Sequence, residues 1–246
     1  MKIILNGASG RMGKVLQAMI AEGRQGSTLA AAVDSFSQDD SILSSLSQFH
    51  GEADCVIDFS NHAATGPLCA FAAERSLPLV IATTGQTDEE RAVISETAKR
   101  IPLFYSGNMS LGIAVLTQLA RTAAKMFPDA DVEIVESHHN QKLDVPSGTA
   151  LMLAHAVQDV RPDSNLLVGR HENGKRTRQE IGIHSLRMGN TVGIHEVIVN
   201  TGTQILTLKH EAQDRSLFAE GALSAASFLI GKRPGLYNMD DLVAQG

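Results

Sequence analysis

The sequence predicts an α/β protein, with an N-terminal Rossmann-type doubly wound parallel sheet and an α+β domain carrying an open mixed sheet. Three observations carry this reading. Short apolar runs alternate with amphipathic stretches through the first part of the chain; a glycine turn lies between the first run and the first helix; and beyond about residue 107 the pattern changes to a long helix followed by strand-like runs in series.

Lys2–Leu5 reads as the first strand, and Met12, Val15, Leu16, Met19 and Ile20 fall on one face of the helix that follows. Leu29–Val33 is the next strand and ends in Asp34. Ala53–Phe59, Leu77–Ala82 and Ile101–Tyr105 repeat the pattern, and Thr87 with Glu90 forms a capping-box signature for a helix through Arg100. A helix is then expected over Leu111–Phe127, a strand over Val132–Val135, a helix after Ser147, and strands over Glu180–Arg187, Val192–Val199 and Gln204–Lys209. Turn pairs between these last strands predict hairpins. A closing helix over Asp214–Leu229 returns the chain to the first domain. The expected domains are 1–107 with 214–246 for dinucleotide binding, and 108–213 for substrate binding and oligomerisation. Gly169–Gln179 reads as a charged, mobile loop.

Composition narrows the function. A net charge of −6 and a pI near 5.8 argue against a nucleic-acid surface and favour a small-molecule partner. Cys55 and Cys69 are too few for a disulfide framework, and no His or Cys set has metal-ligand spacing, so no metal is expected. With no signal-peptide pattern and no apolar run long enough for a membrane span, a cytoplasmic, non-membrane protein is expected.

Two motifs carry chemistry. Gly7-x-x-Gly10-x-x-Gly13, between a strand and a helix, lets backbone approach a pyrophosphate, and Asp34 lies at a strand end 21 residues after Gly13, where an acid binds ribose hydroxyls. Asp34 repels a 2′-phosphate. Ser35 and Phe36 follow it and Arg11 is the near cation, so NADH is favoured, with NADPH use left to Arg11. The second motif is Ser137-His138-His139-Asn140-Gln141-Lys142-Leu143-Asp144-Val145-Pro146-Ser147-Gly148-Thr149-Ala150. Ser147 suits a helix N-cap, so free N–H groups should face a loop that also holds two imidazoles and an ammonium. That combination can bind a dianion and move protons. Adjacent His138 and His139 on extended backbone point to opposite sides, which argues for two roles rather than one metal.

Together, Gly7–Gly13 and Glu136–Ala150 resemble the 4-hydroxy-tetrahydrodipicolinate reductase (dihydrodipicolinate reductase) family, and the similarity covers essentially the whole chain. The resemblance implies NAD(P)H-dependent reduction of a cyclic imine dicarboxylate to tetrahydrodipicolinate with release of water, in diaminopimelate and lysine biosynthesis. It implies His138 as proton donor/acceptor, Lys142 as proton donor, and His139, Ser147, Gly148 and Thr149 around a substrate carboxylate. It also implies a cofactor site made of Gly7, Ala8, Ser9, Gly10, Arg11, Met12, Asp34, the loop Ala82, Thr83 and Thr84, and the loop Ser106, Gly107, Asn108 and Met109. A homotetramer formed through the open sheet is implied as well. The chain departs from the family in having Ser35 after the acid and Asn140-Gln141 where basic residues are common, which puts equal NADPH use in doubt and makes the pocket less positive. Two other readings share features with this one: another two-domain dehydrogenase of the aspartate pathway, and an NAD(P)-sensing protein without chemistry. A sensor needs neither Lys142 nor His138.

Overall fold

A computed structural model describes residues 1–245; residue 246, the last of the expected 214–246 segment, lies outside them. In chain order the elements are β1 (Lys2–Asn6), α1 (Arg11–Ala21), β2 (Thr28–Val33), β3 (Cys55–Asp58), α2 (Thr65–Glu74), β4 (Leu79–Ile81), α3 (Asp88–Ala98) and β5 (Pro102–Tyr105). There follow α4 (Leu111–Met126), β6 (Asp131–His138), α5 (Gly148–Val160), β7 (Asn165–Val168), β8 (Glu180–Arg187), β9 (Gly193–Asn200) and β10 (Ile205–Ala212). The chain ends with α6 (Ser216–Leu229), β11 (Gly235–Tyr237) and α7 (Met239–Val243). Two compact units form, one from Met1–Leu111 with the chain from Ser216 onward, the other from Gly112–Arg215.

The first unit is a six-stranded sheet in the order β11-β5-β4-β3-β1-β2, with every pairing parallel. Its strands are nearly continuous apolar runs because both faces are covered: Ile3, Ile4, Leu5, Val56, Ile57, Leu79, Val80 and Ile81 are all fully buried. β2 and β3 flank β1 on opposite sides, so the direction of winding reverses beside the carboxyl end of β1, where ligands of this architecture bind. Glycine is required at that turn. Gly7 has φ +82° and Gly13 packs so closely under the loop that a Cβ there would lie 2.2 Å from the Gly7 carbonyl oxygen. The capping box of α3 is present in full, Thr87 accepting from Glu90 N–H and the Glu90 carboxylate from Thr87 N–H.

The second unit is a five-stranded mixed sheet in the order β10-β9-β6-β8-β7, parallel at β6–β8 and β7–β8 and antiparallel at β6–β9 and β9–β10. Side chains alternate across it. Val132, Ile134, Ile181, Ile183, Val197 and Val199 share one buried face with residues of α4 and α5, such as Leu116, Leu153 and Val157. β6 runs three residues past its expected end at Val135, because Glu136, Ser137 and His138 continue the ladder opposite Ser185, Leu186 and Arg187 despite being polar. β7, β11 and α7 were not expected from the pattern; each is at most five residues long, too short for periodicity to register. The expected mobile loop is fastened at its centre: Arg176 donates to Glu133 Oε1 (3.0 Å), Asp131 Oδ1 (2.9 Å) and the Val132 carbonyl (3.0 Å).

Candidate active site

The alternation that builds the core of the second unit also builds its polar end. Along β6 the inward row runs Val132, Ile134, Glu136, His138, and along β9 it runs Val199, Val197, His195, so two imidazoles and a carboxylate continue the apolar face. Glu136 is 0% exposed. Arg187, at the end of the neighbouring strand, grips it with both arms, Nη2 to Oε1 and Nη1 to Oε2 at 2.8 Å each. His138 Nδ1 lies 2.5 Å from Oε2, and the Ser147 N–H donates to Oε1 at 3.1 Å. Burial pushes the Glu136 carboxyl up, but the Arg187, Ser185, His138 and Ser147 contacts outweigh it and hold the pKa at about 2.

The loop after β6 returns through a cis Val145–Pro146 peptide to Ser147, which caps α5: its Oγ accepts from Ala150 N–H at 3.1 Å. The same hydroxyl lies 3.2 Å from His195 Nε2, so Ser147 joins the cap of α5 to the β9 imidazole. Ser147 is thus buried and engaged, and Gly148 and Thr149 follow it as the first residues of α5. Lys142 Nζ reaches Asp144 Oδ1 at 2.9 Å, the Lys side chain 22% and the Asp 58% exposed. Arg187 Nη2 also donates to the Asp144 carbonyl, tying this turn to β8. His139 lies just beyond β6, half-buried. Burial lowers the pKa of His138, and burial with the nearby His138 lowers that of His195 to about 4, so both rings are neutral near pH 7. The structure therefore gathers His138, His139, Lys142, Ser147, Gly148 and Thr149 in one strand-end, loop and helix-start assembly.

In the first unit the other expected residues gather at the carboxyl edge of the parallel sheet. Gly7, Ala8, Ser9 and Gly10 form the β1–α1 turn, with Gly10 the N-cap of α1 and no side chain spent on the N–H groups of Arg11 and Met12. Asp34 is joined to this turn, its Oδ2 accepting from Ser9 N–H at 2.9 Å and Oδ1 from Phe36 N–H at 3.0 Å. Ala82, Thr83 and Thr84 follow β4, and Thr83 donates to Asp58 Oδ2 at 2.6 Å, while Asn6 donates to Oδ1 at 2.8 Å. Ser106, Gly107 and Asn108 follow β5 as a turn in which Ser106 Oγ donates to the Asn108 carbonyl at 2.7 Å. Met109 differs from its neighbours in that its side chain is buried, so backbone is what it can offer a ligand. A cavity of about 1100 Å³ opens beside the glycine turn, lined by Gly7, Gly10, Asp34, Phe36, Phe71 and Arg75 among others. The glycine cradle, the start of α1 with no side chain capping it, and a carboxylate at the β2 end fit a dinucleotide.

Glu136, Arg187, His195 and Asp58 belong to these two clusters, and sequence reasoning did not single them out as site residues. Period-two alternation extended past Val135 would have turned Glu136 and His138 inward; the approach of Arg187, 51 positions away, depends on strand pairing and leaves no local signal.

The dihydrodipicolinate reductase N-terminus family model matches residues 1–109, and the C-terminus model matches residues 112–243. The chain is 47% identical over 249 residues to the 4-hydroxy-tetrahydrodipicolinate reductase of Caldanaerobacter subterraneus subsp. tengcongensis, covering 100% of this chain and 99% of that protein. It is 40% identical over 248 residues to the enzyme of the same name from Clostridium novyi, with 98% of each covered. A dipicolinate-bound dihydrodipicolinate reductase from Paenisporosarcina sp. TG-14 shares the fold, with a TM-score of 0.79, 23% identity and 97% of each chain covered.

Replacing Arg187 with Met would leave the Glu136 charge buried without its main partner, at an expected loss of about 3 kcal/mol of stability at pH 7 by urea unfolding. Folding lowers the Glu136 pKa from 4.5 to about 2, so the native stabilisation is full above about pH 5 and is lost as pH falls toward 2. The difference between wild type and Arg187→Met should therefore shrink through that window; an undiminished difference at pH 3 would contradict the pairing.

Proposed function

The chain belongs to the dihydrodipicolinate reductase family, and from that membership we propose how its own residues serve the reaction. It is an NAD(P)H-dependent oxidoreductase that reduces 4-hydroxy-tetrahydrodipicolinate to tetrahydrodipicolinate, with release of water, in diaminopimelate and lysine biosynthesis. The observation that carries the residue-level reading is the meeting of a neutral imidazole, an ammonium and the start of α5 at one end of the second sheet.

In this reading His138 accepts and donates a proton and Lys142 delivers one to the reduced ring. His139 with the Gly148 and Thr149 amides and the Thr149 hydroxyl hold a substrate carboxylate, the helix start favouring negative charge. Ser147 contributes by placing those amides, since its hydroxyl is engaged with Ala150 and His195. The cofactor would be held by Gly7 to Met12, Asp34, Ala82 to Thr84 and Ser106 to Met109. When bound, the reduced nicotinamide supplies the hydride. We read NADH as the favoured form: among the residues lining the cavity Arg75 is the one Lys or Arg, and its guanidinium is committed to the Phe49 and Gly51 carbonyls, which leaves Arg11 of the glycine turn as the near cation for a 2′-phosphate that Asp34 repels.

Among the described residues no helix is long and apolar enough to cross a membrane. Cytoplasmic action accords with two free, buried cysteines. Family resemblance and a half-buried outer sheet face bearing Val135, Ile194 and Ile198 support a homotetramer assembled through that face.

Freshly generated synthase product should cause loss of NADH absorbance with the purified protein, and Lys142→Ala should cut turnover by roughly 10²-fold while leaving the NADH Kd nearly unchanged. Equal losses in turnover and NADH affinity would move Lys142 to the cofactor site. Steady-state kinetics should give a kcat/KM at least about tenfold higher with NADH than with NADPH, equivalent to about 1.4 kcal/mol of charge discrimination; a preference for NADPH would reject the role given to Asp34. Sedimentation equilibrium should return four copies, and a monomer would reject the assembly.

A further inference from the structure

We propose that Glu136 is a positioning residue for proton transfer: it fixes His138 as the Nδ1–H tautomer and leaves Nε2 as the nitrogen that exchanges a proton with the substrate. This rests on the proton-handling role proposed for His138 above. An ionised carboxylate is an acceptor only, and the other groups around Glu136 meet it as donors: Arg187 Nη2 and the Ser147 N–H on Oε1, Arg187 Nη1 on Oε2, and the nearby Ser185 hydroxyl, which toward a carboxylate can only donate. None of them can give Glu136 a lone pair to share with a bare Nδ1. At 2.5 Å from Oε2, Nδ1 must bring the proton itself; the other tautomer would set two lone pairs against each other at that distance.

The opposite edge of the ring is kept clear. A Cβ built on Gly193 would lie 3.1 Å from Nε2, so any larger residue there would crowd the nitrogen left free. His195 packs edge-on against the ring, with centroids 5.2 Å apart and planes at 73°, which restrains His138 from turning over and presenting carbon to the carboxylate. His195 is itself placed by the Ser147 hydroxyl, 3.2 Å from its Nε2. The two imidazoles meet different oxygens of one network, and Nε2 of His138 faces a glycine.

A purely architectural Glu136, one that only anchors Arg187 and Ser147, would leave the tautomer of His138 indifferent to the charge at position 136. Long-range ¹H–¹⁵N spectra of the ¹⁵N-histidine-labelled full chain at pH 7 separate the two, with His138 assigned by the signal lost in His138→Gln. The expected wild-type pattern is a protonated Nδ1 and a bare Nε2. In Glu136→Gln the amide oxygen is held by the two fixed donors Arg187 and Ser147, its NH₂ turns to His138, and the tautomer reverses with a fall in kcat of roughly 10²-fold and an unchanged KM for NADH. An Nε2–H ring or an imidazolium in the wild type overturns the proposal, and that spectrum decides even if the variant does not fold. Loss of kcat with the Nδ1–H tautomer retained, or a reversed tautomer with wild-type kcat, also overturns it. Full turnover by His138→Gln would reject the role of His138 itself, a failure distinguishable from the tautomer result.

Discussion

One buried charge governs the arrangement of the second unit. Removing a carboxylate from water costs several kcal/mol, and only close, well-directed partners offset that cost. The partners of Glu136 come from separate pieces of chain: Arg187 from the end of β8, the Ser147 amide from the cap of α5, His138 from its own strand two residues on. Arg187 passes the constraint further by holding the Asp144 carbonyl in the loop. Strand, neighbouring strand, loop and helix start are therefore in register with one another because they satisfy the same carboxylate. A displacement of any of them leaves the charge short of a donor, so the network specifies geometry even where its net contribution to stability is small.

The core and the chemistry of this unit share one face of one sheet. Inward positions of β6, β8 and β9 are Val or Ile where α4 and α5 cover them, and become Glu, His, Ser or Arg toward the end where the loop and helix start close over. The apolar half supplies rigidity, and the polar half uses it to hold groups at fixed separations. The nucleotide unit solves its problem differently. There, the parallel sheet is apolar up to its polar carboxyl ends, and the glycine turn offers mostly backbone: Gly7 at positive φ, Gly13 packed against carbonyls and the start of α1, with Asp34 oriented beside them by Ser9 N–H. Buried Asp58 braces that edge by joining Asn6 at the end of β1 to Thr83 after β4.

The sequence was legible where local chemistry decides structure. Gly7, Gly10 and Gly13 between a strand and a helix, the Thr87/Glu90 capping box and Ser147 as an N-cap each depend on residues within a few positions, and each stands as expected. The end of β6 was not legible, since Glu136-Ser137-His138 is polar and only its pairing with β8 and β9 makes it strand. Arg187 and His195 were hidden for the same reason: strand pairing across some fifty residues gives them their partners. The Gly169–Gln179 segment looked solvated by composition, but Arg176 finds carboxylates on β6 that no local pattern could reveal. β7 and β11 are four and three residues long and owe their existence to the neighbours that pair with them.

The two ion pairs beside the helix start differ in a way that suits a site for a dicarboxylate. Glu136–Arg187 is buried on the acid side and held by a two-armed contact, so giving it up would expose several kcal/mol of unsatisfied charge. Lys142–Asp144 is a single contact with its acid 58% exposed, the kind of pair whose net worth is at most about 1 kcal/mol. With His138 and His195 neutral, the two ion pairs balance in charge: one Glu against one Arg, one Asp against one Lys. An incoming carboxylate can therefore take Lys142 from Asp144 at little cost, because Asp144 turns to water, while it cannot take Arg187 from Glu136. On the roles proposed here, the exchangeable pair supplies the mobile donor and the fixed pair keeps His138 aligned. The site separates the charge that must move from the charge that must not.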